Sequence, residues 1–126
     1  MSGVPVTGVN ELVLEVLDLD AAERFYGGVL GLPVMLRSEG RVWVAAGART
    51  RIGLWAPQVG IADGRGGVHV HYAMHVGADD YDGAVARLRE HGYEPHEEDF
   101  GESGRAAYVN DPDGNVVELW TWPGPG

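Results

Sequence analysis

Carboxylates and imidazoles stand at alternate positions in two short segments: Glu11 and Glu15 in one, and His69, His71 and His75 in the other. Near the C-terminus Glu118 alternates with Val116, Trp120 and Trp122, while Arg51, Gly53 and Trp55 alternate in a fourth segment. Alternate residues of an extended strand share a face, so these groups belong to one surface. Burying that much charge without partners would cost several kcal/mol per group, so the face must be wet, ligand-filled or metal-bound. Two chemistries suit it. An imidazole with two carboxylates can hold a divalent ion such as Mn²⁺, Fe²⁺ or Zn²⁺, which then polarises a bound oxygen. Alternatively, indoles stack on a planar ring while carboxylates attract a cationic group.

The elements that position these residues occur twice, about sixty residues apart. Glu11-Leu-Val-Leu-Glu-Val16 precedes Asp18, Asp20 and a helical run ending at Gly31; His71-Tyr-Ala-Met-His-Val76 precedes Asp79, Asp80 and a second run ending at Gly92. Gly40-Arg-Val-Trp-Val44 and Arg51-Ile-Gly-Leu-Trp55 likewise match Gly104-Arg-Ala-Ala-Tyr108 and Val116-Val-Glu-Leu-Trp120. One supersecondary unit is therefore used twice. The match sets Glu11 against His71 and Gly53 against Glu118.

Each unit reads β-α-β-β-β, giving an α+β fold of two βαβββ modules whose curled mixed sheet surrounds a concave ligand cavity. Module one spans about residues 7–56, a glycine-rich connector 57–67, and module two about 68–123. In the first module Asp20 is expected to cap the helix, with Glu23 completing a capping box. Strands are expected at Val34–Arg37, Arg41–Ala45 and Arg51–Trp55, then in module two at His69–Val76, Tyr93–His96, Arg105–Asn110 and Asn115–Trp122. Asp111-Pro-Asp-Gly114 forms the turn before the last strand.

Composition removes several classes of function. The 126 residues make one domain without cysteine, which excludes disulfides and thiolate chemistry together. The formal net charge is −10 and every basic residue is arginine, a balance that disfavours nucleic acid and anionic membranes. No apolar stretch is long enough to span a bilayer, and the first residues lack a signal-peptide pattern, so a cytoplasmic protein is expected. Gly101-Glu-Ser-Gly104 has the wrong spacing for a nucleophile elbow.

Asn10-Glu-Leu-Val-Leu-Glu-Val-Leu-Asp18, Arg24-Phe-Tyr26, Val29-Leu-Gly-Leu-Pro33 and Tyr108-Val-Asn-Asp-Pro-Asp-Gly-Asn-Val-Val-Glu-Leu119 together resemble the vicinal oxygen chelate superfamily. That group includes glyoxalase I, extradiol dioxygenases, and fosfomycin- and bleomycin-resistance proteins. The resemblance implies metal-ligand positions at Glu11, Gly53, His71 and Glu118. Glu11 stands where a histidine is usual, and Gly53 offers no donor. The resemblance also implies a homodimer.

A drug-sequestering protein without turnover and without a metal or other cofactor is the leading expectation. Its ligand, aromatic, cationic or both, would meet Glu11, Glu15, Trp43, Gly53, Trp55, His71, His75, Glu118, Trp120 and Trp122. Gly53 is expected to open room for a planar ring beside Trp55. The alternative is a metal-dependent lyase, isomerase or dioxygenase using Glu11, His71 and Glu118, whose side chains should then converge.

Overall fold

In the computed structural model, residue 3 and residues 8–57 and 71–124 are described. His69 and all of the connector after Pro57 lie outside them. Module one runs β1 (Glu11–Glu15), α1 (Leu19–Glu23) with a π-helical continuation Arg24–Val29, β2 (Val34–Ser38), β3 (Arg41–Ala46) and β4 (Thr50–Trp55). Module two runs β5 (His71–His75), a 3₁₀ turn Ala78–Asp80, α2 (Tyr81–Glu90), β6 (His96–Asp99), a 3₁₀ turn Gly101–Ser103, β7 (Arg105–Asn110) and β8 (Val116–Trp120).

The fold is α+β, built from two βαβββ modules. Each carries its own four-stranded mixed sheet, ordered β1-β4-β3-β2 and β5-β8-β7-β6. β1 pairs parallel with β4, and β5 with β8, because the helix carries the chain across to the far edge and two antiparallel connections bring it back beside the first strand; the remaining pairs are antiparallel. The two sheets are not joined by any strand pair among the described residues, and β1 and β5 are edge strands.

Period-two patterning orients the strands. Leu14 and Val16 are buried while Glu11 and Val13 are exposed. On α2 the buried residues Tyr81, Val85 and Leu88 fall at helical spacing on one face. The helix cap differs from expectation. Asp18, not Asp20, is the N-cap of α1, its carboxylate accepting from the Ala21 N–H at 3.0 Å. Glu23 closes no capping box and instead pairs with Arg37, which holds its pKa below the usual carboxylate value. Gly31, at φ +73°, takes the left-handed conformation that ends this helix. β6 begins at His96 rather than Tyr93, because Tyr93 packs against the core and Phe25 instead.

The modules meet through the helix-bearing sides of their sheets and share one apolar core, in which Leu14, Phe25, Tyr26 and Ile52 join Leu88, Val117 and Leu119. The Asp111 turn ties them together. Tyr26 Oη donates to Asp111 Oδ2 at 2.8 Å, and Leu17 N–H donates to Asp113 Oδ1 at 2.9 Å. Asn115 holds Asp111 in place with both its backbone and side-chain N–H groups. Burial, Tyr72 and Asp111 together push the Tyr26 phenol far above its ordinary pKa, so it stays a donor.

Candidate functional site

The face of each sheet away from the helices carries the residues with chemistry, and the strand register aligns the two modules position by position. Val13 pairs with Gly53 where Ala73 pairs with Glu118; Glu15 pairs with Trp55 where His75 pairs with Trp120. The match of Glu11 to His71 and of Gly53 to Glu118 therefore holds in space. On the neighbouring strand, Trp43 faces Gly53 as Tyr108 faces Glu118. Aligning Gly40 with Gly104 sets Trp43 against Ala107 instead, one residue out.

In module one the space over Gly53 is filled by the chain itself. A Cβ on Gly53 would lie 2.7 Å from Trp43 Cζ3 and 2.8 Å from Trp55 Nε1. The two indoles meet edge to face with centroids 5.9 Å apart. Arg51 lies 3.8 Å over the Trp43 ring and Arg41 4.0 Å over Trp55. Arg51 also donates to Glu11 Oε1 at 2.8 Å. The room expected beside Trp55 is thus taken by Trp43, and Glu11 faces a guanidinium rather than an open cavity. Trp55 Nε1 is buried without a hydrogen-bond partner.

Module two is polar at the equivalent place. His71 Nε2 lies 2.9 Å from Glu118 Oε1, and the Glu118 side chain is only 7% exposed. Tyr108 lies beside both: its ring meets His71 at 5.8 Å, and burial, then the Glu118 carboxylate, raise its pKa. Further along, Trp120 stacks on Trp122 at 4.8 Å, Phe100 closes edge-on at 5.9 Å, and Trp120 Nε1 donates to the Ser103 carbonyl. His75 is exposed on the β5 edge.

This paired-module architecture is matched by the family model for the Glyoxalase/Bleomycin resistance protein/Dioxygenase superfamily, over residues 8–119. The chain belongs to that superfamily. It is similar to several solved structures. Lactoylglutathione lyase from Agrobacterium tumefaciens is 25% identical at TM-score 0.79, covering 94% of this chain and 96% of that one. TnmS3, an antibiotic binding protein from Streptomyces sp. CB03234, is 26% identical at TM-score 0.74, covering 94% and 98%. A glyoxalase/dioxygenase from Nostoc punctiforme shares the fold at 21% identity and TM-score 0.76, covering 98% and 99%.

Within the superfamily fold, the expected donors separate into two groups. His71 and Glu118 adjoin, whereas Glu11 lies in the other sheet against Arg51. Among the described residues no three His, Asp or Glu side chains come together as a metal site. The Glu11, His71 and Glu118 set therefore does not fit a metal ion within one chain. Tyr108 was missed by the sequence reasoning. Counting back through the Asp111–Asn115 turn would have found it, because Asn110 pairs with Val116 and so places Tyr108 opposite Glu118.

Proposed function

We propose that this superfamily member is a cytoplasmic small-molecule-binding protein of the drug-sequestering type, holding an aromatic or cationic ligand without turnover. The observation that carries this proposal is the missing donor at Gly53: where a further metal ligand would stand, the chain packs Trp43 against Trp55. Glu11, bridged by Arg51, adds a polar rim to that aromatic wall. In module two, Trp120 and Trp122 offer a second stacking platform beside Glu118 and His75. The similarity to TnmS3, an antibiotic binding protein, supports the same proposal. A homodimer is part of it: the unpaired edges β1 and β5, with Val9 and Val13 exposed, suit a second copy whose sheets complete each concave half.

The experiment is a tryptophan-fluorescence titration with a panel of aromatic antibiotics, repeated after chelator treatment. A saturable quench, one ligand per site and unchanged by chelator, is expected. Trp55→Ala or Trp120→Ala should weaken it by about 1–3 kcal/mol through lost stacking and buried area. Sedimentation as a clean monomer at micromolar concentration would remove the dimer from the proposal.

A second proposal keeps the adjoining His71 and Glu118 as donors for a divalent ion such as Mn²⁺, Fe²⁺ or Zn²⁺ in a lyase, isomerase or dioxygenase, with Glu11 supplied from elsewhere. Stoichiometric metal in protein purified without chelator, lost on His71→Ala, would favour it over sequestration.

A further inference from the structure

Period two sends the neighbours of the site residues to the opposite side of the sheets, where a cavity of about 770 Å³ lies between the modules. Leu12 and Ile52 line it from sheet one, Tyr72, Met74 and Leu119 from sheet two, and Leu30 from the first helix. His71 and Glu118 do not line it, although Ala73 and His75, on the His71 face of β5, reach its rim. The volume falls within the roughly 300–1,000 Å³ range of small-molecule sites.

The lining supplies few polar groups. Thr50 Oγ1 donates to the Val9 carbonyl, and Arg87 donates to the Val29 and Gly28 carbonyls. His75 sits at the exposed edge. The Tyr72 hydroxyl is buried beside the Tyr26 phenol. The cavity opens to solvent where Val9 and His75 lie, so its apolar lining is wetted, and an apolar occupant would remove that lining from water at about 25 cal/mol per Å².

We propose that this cavity is a second ligand site, on the helix-bearing side of the sheets and reaching the β5 edge, that takes a neutral, largely apolar aromatic molecule. The site does not depend on drug sequestration at the indole walls.

The test is a titration of the full chain with prodan, a neutral naphthalene bearing one ketone, whose emission shifts to the blue in apolar surroundings. Saturable binding of one probe per chain is expected. Ala84→Leu, which adds bulk to the lining, should weaken it by about tenfold or more. Ala46→Val serves the same purpose if that variant does not fold. Trp55→Ala and Glu118→Gln, which alter the concave faces, should leave prodan affinity unchanged. Absence of saturable binding overturns the proposal. So does an affinity that follows Trp55 and Glu118 rather than Ala84 and Ala46. Probe binding that appears or vanishes with dilution-dependent assembly would assign the cavity to a second copy and overturn it as well.

Discussion

The two concave half-faces share one backbone plan and have opposite chemistry. In module one, Gly53 removes a side chain, Trp43 and Trp55 close over the gap, and Arg41 and Arg51 lie on the indole faces. In module two, Glu118 occupies the equivalent position, with His71 in contact and Tyr108 beside it. The register is the same, so the difference comes from side chains alone. A glycine at the centre of the face permits an aromatic plug. A glutamate there forbids the plug and recruits donors instead, because a buried carboxylate must be satisfied. A duplicated unit can thus keep its fold while its two faces become a stacking wall and a polar cluster.

The largest test of this comparison is removal of the plug. Trp43→Ala should destabilise the fold by about 3–5 kcal/mol, the usual cost of deleting a buried tryptophan. Gly53→Ala alone should cost about 1–3 kcal/mol by overpacking against Trp43 and Trp55. Combined with Trp43→Ala it should cost less, and denaturant unfolding of the four-member cycle measures the coupling. Additive costs would mean that the two positions do not share a space, and the contrast between modules would fail.

In module two the expected effect is smaller. Glu118→Gln leaves the shape but weakens the contacts to His71 and Tyr108, and should cost about 1–3 kcal/mol in urea unfolding. Tyr108→Phe should cost less than Glu118→Gln, since the carboxylate keeps His71 as a partner.

The smallest effect is read at alkaline pH. Burial, assisted by Glu97, pushes the Tyr81 phenol from 10.0 up to about 12. The folded state favours the protonated form, so this stability is complete below pH 10 and is lost as the pH rises toward 12. Thermal melts should therefore fall across that window, and Tyr81→Phe should flatten the decline by on the order of 1 kcal/mol. An unchanged slope in Tyr81→Phe would show that other groups govern the alkaline limb.

Legibility in the sequence followed the range of each interaction. The two βαβββ units, the face shared by Glu11, Glu15, Arg51, Gly53 and Trp55, and the equivalence of Gly53 with Glu118 were readable, because strand periodicity and repetition are local signals. The cap was misplaced by two residues. Asp18 and Asp20 both suit an N-cap, and Glu23 was claimed by Arg37, fourteen residues away. Tyr108 was lost to a one-residue slip, which the five-residue turn at Asp111–Asn115 would have corrected.

The sequence by itself determined which residues share a face, since alternation is a property of the extended chain. Only the tertiary structure decided what that face does with them. Whether Trp43 leaves room over Gly53 or fills it depends on rotamers and on Arg51 lying across its ring, not on spacing. Whether Glu11 meets His71 depends on how two separate sheets are set against each other. That placement is fixed by distant contacts such as Tyr26 to Asp111 and Arg87 to Val29, which no local pattern encodes.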